Sequence, residues 1–299
     1  MQIVSISKRR LRTLPHIELS KNTFNTEGTL YYLELKNKWE TIPYALKKYY
    51  EITGERFSNK LYTINQLIDS KDIINMVELV MPESLVSIEG QIQGFIMPYI
   101  DHVNFNDLLE DPNCSRDIKI DYFKQIGEIL KKLKYVRRYT TVKDIYINDL
   151  HESNFIIDKD GQIKVVDMDS CKIGNNAPFP SRYLAPCNYI YDVPKYRKTR
   201  KYKNYNEFDC PYKINETTDL YCYTIMILNY LYGGKITHLS LSEYYNYLEY
   251  LKMVGVDKNL IDIFDNLYTK APNKNPLEYL DSLKKLDGRT RGSVYRKVR

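Results

Sequence analysis

Between positions 118 and 135 apolar residues recur every three or four places. Ile120, Phe123, Ile126, Ile129, Leu130 and Leu133 share one face, with Lys, Asp and Glu between them. That spacing predicts an amphipathic helix with one buried stripe. Residues 56–68 repeat the pattern with Phe57, Leu61, Ile64, Leu67 and Ile68, and predict a second helix. Residues 29–35 and 41–50 are instead rich in aromatic and aliphatic residues and parted by a polar break at 36–40, which reads as an antiparallel strand pair. Further strands are expected at 77–80 with its neighbours and at 91–96, after the turn-like Glu89-Gly90. Beyond position 100 helices are expected at 105–109, 217–231, 239–251 and 259–267, the second of them stopped by Gly233-Gly234. The pattern therefore predicts an α+β chain: a small β-rich part over 1–100 with one main helix, a boundary near 97–101, and a mainly helical part over 101–299.

The segment from Asn154 to Asp167 predicts a β-hairpin, because Asp160-Gly161 is a favoured two-residue turn and both flanks are strand-like. With those two residues as the loop, 159 pairs with 162, 158 with 163, and Asn154 ends opposite Asp167. An amide oxygen and a carboxylate meeting there are the hard oxygen ligands that magnesium takes when it also holds phosphates. Asp149 stands five residues before Asn154, and a carboxylate returned to that end of the hairpin can accept a proton from a hydroxyl. Spacing alone equally fits a polar hairpin end solvated by water.

Composition narrows the classes. A hydrophobic content of 43% over 299 residues supports an ordinary buried core. No run of roughly 20 apolar residues is present, and residues 1–12 lack the apolar stretch of a secretory signal, so the expectation is a cytoplasmic protein with no membrane segment. Five cysteines without a Cys-x-x-Cys spacing and four scattered histidines point neither to a disulfide framework nor to zinc. The net charge of +6 is concentrated at 8–12, 195–203 and 289–299. The run from Lys195 to Lys203 would draw an acidic partner, though each basic run is also an ordinary solvated face. Nothing indicates nucleic acid.

Taken together, the motifs resemble the protein kinase superfamily, Ser/Thr type. Asn148-Asp149-Leu150-His151-Glu152-Ser153-Asn154 looks like the catalytic loop, and Val166-Asp167-Met168-Asp169 stands where the family has Asp-Phe-Gly. Tyr44-Ala45-Leu46-Lys47 is similar to the Val-Ala-Ile-Lys strand, residues 95–100 to the hinge, and Thr218-Asp219 to the start of the helix whose Asp braces the catalytic loop. The resemblance covers roughly residues 20–235. It implies a bilobal fold, with ATP and Mg2+ as cofactors and a protein substrate, the chain itself included. Asp149 becomes the catalytic base, Asn154 and Asp167 the metal ligands, and Lys47 the ligand of the α- and β-phosphates. Met97 becomes the gatekeeper, with Pro98, Tyr99 and Ile100 offering backbone groups to adenine.

The chain departs from that pattern in several places. The phosphate-covering segment 23–30 has one glycine, Gly28, where the family has three. The helical glutamate expected beside Lys47 is represented only by Glu55 at the helix start, with Lys60 near the usual place. Asp169 replaces a glycine and adds a carboxylate that would serve as a further metal ligand. Ile147-Asn148 replaces the His-Arg before the catalytic Asp, and His151 with Asn154 is also similar to the loop of aminoglycoside and choline phosphotransferases. Two alternatives therefore stand beside the protein kinase: a small-molecule phosphotransferase, and a pseudokinase that binds nucleotide or a partner without turnover.

Overall fold

A computed structural model describes residues 3–18, 27–176, 214–268 and 274–286. The run 195–203, the basic segment 289–299 and positions 23–26 of the phosphate-covering segment lie outside the described residues. The chain is α+β and divides into two compact units. Met1–Asp107, Val136–Ile145 and Ser153–Pro178 make up the first; Leu108–Tyr135, Tyr146–Glu152 and Phe179–Arg299 make up the second.

The first unit is built on a five-stranded mixed sheet. Its strands are β1 (Ile3–Ile6), β2 (Gly28–Lys36), β3 (Thr41–Tyr49), β4 (Ser84–Ile88) and β5 (Gln91–Pro98), in the order β1-β4-β5-β3-β2. A short helix, α1 (Lys8–Leu11), follows β1. β1 runs parallel to β4, and every other neighbour is antiparallel. The β2–β3 pair lies where the aromatic and aliphatic runs predict it. At its turn the Asn37 side chain accepts from the backbone of Trp39 at 2.7 Å and Glu40 at 2.8 Å, leaving Trp39 89% exposed.

The helix expected at 56–68 is longer, α2 (Gly54–Ile74). It buries Phe57, Ile64 and Leu67 against the sheet, and two polar residues, Lys60 and Thr63, on the same face. The strand expected at 77–80 is an isolated parallel bridge from Leu79 to Val165, and the ladder strand begins only at Ser84. Val80 donates to the Val165 carbonyl and Val165 to the Glu78 carbonyl, both at 2.8 Å, so this stretch pairs with the hairpin and not with the main sheet.

That hairpin joins a three-stranded sheet of β6 (His102–Asn104), β8 (Phe155–Asp158) and β9 (Ile163–Val165). Between β6 and β8 come α3 (Phe105–Glu110), α4 (Arg116–Tyr139) and β7 (Ile145–Tyr146). The hairpin register is one residue off the expected one, since Phe155 pairs with Val165 and Ile157 with Ile163. The turn chemistry explains the shift. The Asp158 side chain accepts from the backbone of both Asp160 (3.0 Å) and Gln162 (2.8 Å), and Gly161 is left-handed at φ 73°. The loop is thus three residues long, a type of hairpin that places glycine at its left-handed position. Asn154 consequently bonds Val166, through its carbonyl at 2.9 Å, and Asp167 is the next residue.

The second unit is helical. The apolar face expected on α4 is buried at all six positions from Ile120 to Leu133. It is accompanied by α5 (Glu216–Tyr232), α6 (Leu241–Met253) and α7 (Lys258–Asp265). α5 opens with a capping box of Asn215 and Thr218 and closes on left-handed Gly233. The buried tyrosines spend their hydroxyls on backbone carbonyls: Tyr223 donates to Phe123 and Tyr244 to Phe264, each at 2.6 Å. Gly127 of α4 is glycine for want of room, because a Cβ there would lie 2.8 Å from the Tyr223 hydroxyl and 2.9 Å from the Leu277 side chain. Among the described residues no helix is long and apolar enough to cross a membrane.

Candidate functional site

Lys47 projects from β3, which lies between β2 and β5, and only 4% of it is exposed. A lysine buried this deeply requires an anion. It finds two, bonding Asp167 and both carboxylate oxygens of Asp169 at 3.0 and 3.1 Å. Both aspartates come from the turn after β9, where Asp167 adopts left-handed φ 62° and opens a single 3₁₀ turn, Met168–Ser170. A non-glycine residue there is uncommon, and the aspartate side chain is among those best suited to it.

Asp169 is fully buried. Besides Lys47 it receives Lys60 from α2 at 2.9 Å and the hydroxyl of Tyr49 from the end of β3. Both lysine ammoniums lie over the Tyr49 ring, Lys60 at 5.3 Å and Lys47 at 5.6 Å from its centre, so the ring face adds a cation–π contribution. Burial alone would raise the Asp169 carboxyl, but Lys47 and Lys60 outweigh it and hold the group well below the usual carboxylate range. Burial disfavours the Lys47 cation, yet Asp167, Asp169 and then Glu27 keep it above the ordinary lysine value. Asp167 shifts the other way. Burial pushes it up first, Lys47 opposes, and the charge on Asp169 adds to the rise. The Tyr49 phenol is raised by burial and by the neighbouring Asp169 charge.

Glu27, immediately before β2, completes the cluster. Its carboxylate bonds Lys60 and accepts from Arg56 at 2.9 Å, and it lies 3.8 Å from Lys47. Its backbone carbonyl accepts from Tyr50 at 3.0 Å, which fixes the chain at that point. Gly28 follows, and a Cβ there would sit 2.3 Å from the Lys48 carbonyl, so the close approach of β2 to β3 requires glycine. Glu55 stays exposed in the first turn of α2, away from the face that carries Phe57, Lys60 and Ile64. The helix thus brings a cation toward Lys47 where a carboxylate was expected. Asn176 ties the segment beyond Asp169 to the same helix, donating to the Asn59 carbonyl and the Thr63 hydroxyl, both at 2.7 Å.

Met97 is buried in an apolar cluster with Ala45, Val80 and Ile156, and Leu30, Tyr99, Ile100 and Val166 pack against it. Tyr99 donates its backbone N–H to the Pro43 carbonyl at 3.2 Å, and the Ile100 carbonyl bonds the His102 ring at 2.6 Å. Pro98, the last residue of β5, pairs with Tyr44.

In the second unit, the carboxylate of Asp219 on α5 accepts from the backbone N–H groups of Ile147 (3.0 Å) and Asn148 (2.9 Å). Two charge-assisted bonds therefore fix the loop in which Asn148 is left-handed and Asp149 turns back on the Ile147 carbonyl at 2.7 Å. The His151 ring nitrogen lies 3.7 Å from the Asp149 carboxylate.

For a divalent cation the donor chemistry divides the three predicted ligands. The oxygens of Asp169 are committed to two ammoniums and a hydroxyl. Asp167 keeps about a third of its side chain in solvent, and its carboxylate, like the Asn154 amide, is a hard oxygen donor of the type magnesium takes. Among the described residues no group of three or more His, Cys, Asp or Glu side chains is arranged to hold a metal. Glu27, Arg56, Tyr49 and Lys60 were not among the predicted site residues. For Lys60 the signal is in the sequence, since it lies three residues after Phe57 and four before Ile64 on an apolar face. No protein-family model matches the chain, and no curated protein matches it.

Proposed function

We propose that this chain is an ATP-dependent phosphotransferase with a bilobal, protein-kinase-like fold, transferring the γ-phosphoryl group to Ser or Thr hydroxyls of protein substrates, itself included. The observation that carries the reading is the bond from Lys47 in the sheet to Asp167 after the hairpin, 120 residues away in sequence. It joins a cation suited to phosphate and a carboxylate suited to magnesium, beside the apolar cluster of Met97, Ala45 and Ile156 that suits an adenine ring. The loop clamped by Asp219, with Asp149 at its end, supports it further.

In this reading Lys47 holds the α- and β-phosphates, and Asn154 and Asp167 would hold magnesium, which would supply charge neutralisation to the phosphates. Asp149 orients the acceptor hydroxyl and takes its proton as the new oxygen–phosphorus bond forms. The bond from the γ-phosphorus to the bridging oxygen breaks, and ADP leaves. The full chain with magnesium and labelled ATP is expected to label itself or an added protein, and Asp149→Ala to abolish this. Equal labelling by Asp149→Ala would overturn the assignment. A second reading, nucleotide binding without transfer, is favoured by one observation, the cation Lys60 where a glutamate was expected. Thermal stabilisation by ATP with no labelling of any acceptor would select it.

A further inference from the structure

The cations Lys60, Arg56 and Lys47 all face Glu27, and its two oxygens bridge two of them. One oxygen goes to the Arg56 guanidinium and the other to the Lys60 ammonium. That is how two oxygens of a phosphoryl group would be held, because guanidinium and ammonium groups recognise carboxylate and phosphate by the same charge-assisted bonds. Glu27, Arg56, Lys60, Tyr49 and Phe57 line a cavity of about 180 Å3, so the place has room beside the carboxylate that fills its cationic end.

Glu27 is not needed to orient Lys47, which already bonds Asp167 and Asp169 and lies 3.8 Å from Glu27. Nor is Glu27 as deeply held as the lysines, since 22% of its side chain is exposed against 4% for each of them. Its backbone is pinned by Tyr50 and by the tight packing of Gly28, so a rotation of the side chain alone would vacate the position. With Glu27 in place, three carboxylates face three cations. With it swung out, the cluster has one positive charge in excess and an arginine and a lysine aimed at one point.

We propose that Lys60 and Arg56, together with Lys47, form a polyphosphate-binding site whose resident anion is Glu27, so that the phosphates of a nucleotide enter by displacing a side chain of the protein itself. The proposal rests on the nucleotide reading above and gives α2 a direct part in holding phosphate. It also assigns the residue before Gly28 the role of an internal competitor.

The test titrates inorganic tripolyphosphate into the full chain by calorimetry. Glu27→Gln keeps the shape and removes the charge, and it is expected to bind about ten-fold more tightly or better. Arg56→Gln, at a half-exposed position, is expected to bind several-fold more weakly, with circular dichroism melting showing that both variants are folded. Unchanged or weaker binding by Glu27→Gln would overturn the proposal, the weaker case identifying Glu27 as a partner that orients Lys47. Absence of tripolyphosphate binding in every form would overturn it too. Phosphate transfer is scored separately. No transfer with tighter binding by Glu27→Gln would remove the phosphotransferase reading and keep the anion site, and transfer with unchanged binding would do the reverse.

Discussion

Lys60 is the residue on which the cluster turns, because it is the cation that α2 delivers to a fully buried carboxylate. Removing one partner of a buried pair leaves the other charge without compensation, which typically costs about 3–5 kcal/mol. Lys60→Met is therefore expected to lower the unfolding free energy by about that much in urea titrations. Acid should act on the same group with a definite sign. Asp169 is held below the usual carboxylate value, so its contribution to stability is present above about pH 4 and is lost as the pH falls toward its folded value. Asp167, raised, works oppositely. Between its raised value and about pH 4 the folded state holds more protons than the unfolded one, and acidification stabilises. Melting temperatures of the protein without metal or nucleotide should rise slightly on mild acidification and fall below about pH 4. The two aspartates share the same lysines, so Asn at either position leaves a single well-compensated carboxylate and should remove the rise.

Elements were legible where a single periodicity governed them. The stripe on α4 and the β2–β3 pair follow directly from spacing, and the Asp160-Gly161 dipeptide marks the hairpin. Its register was not legible, because it depends on the Asp158 side chain capping its own turn and adding one residue to the loop. β1 was not legible either, since four residues carry too little pattern and its partner β4 lies some 80 positions away. Of the site, Lys47 was singled out only by the resemblance to a family motif, and Asp167 by that resemblance together with its place at the end of the hairpin. Glu27 was not, since its partners belong to a helix whose face must be known first. Gly161 is expected to tolerate Ala at a cost of about 1–2 kcal/mol, the penalty of a side chain in the left-handed region, measured by denaturant unfolding. Asp219→Asn replaces one of two acceptors by a donor facing a backbone N–H. It should cost about 1–3 kcal/mol of stability and, on the proposed phosphotransferase reading, reduce transfer while leaving nucleotide affinity near its original value.

At the scale of the molecule, one α+β chain buries charge in both units, Lys47, Lys60 and Asp169 in the first and Lys119 and Asp219 in the second, and buries tyrosines in both, among them Tyr49 in the first and Tyr223, Tyr244 and Tyr247 in the second. The lone tryptophan belongs to neither core. Trp39 sits on the β2–β3 turn, while Glu27 and Gly28 lie at the far end of the same ladder, where Gly28 pairs with Tyr49. Nine residues of strand separate them, roughly 30 Å of extended chain. Its indole is consequently expected to fluoresce as a water-bathed ring in the folded and the unfolded protein alike. Unfolding has to be followed by circular dichroism or tyrosine absorbance, and titration of a nucleotide should leave the Trp39 emission unmoved. A ligand that does shift its colour has found the turn and not the lysines, which gives every binding experiment on this protein an optical control already encoded in the chain.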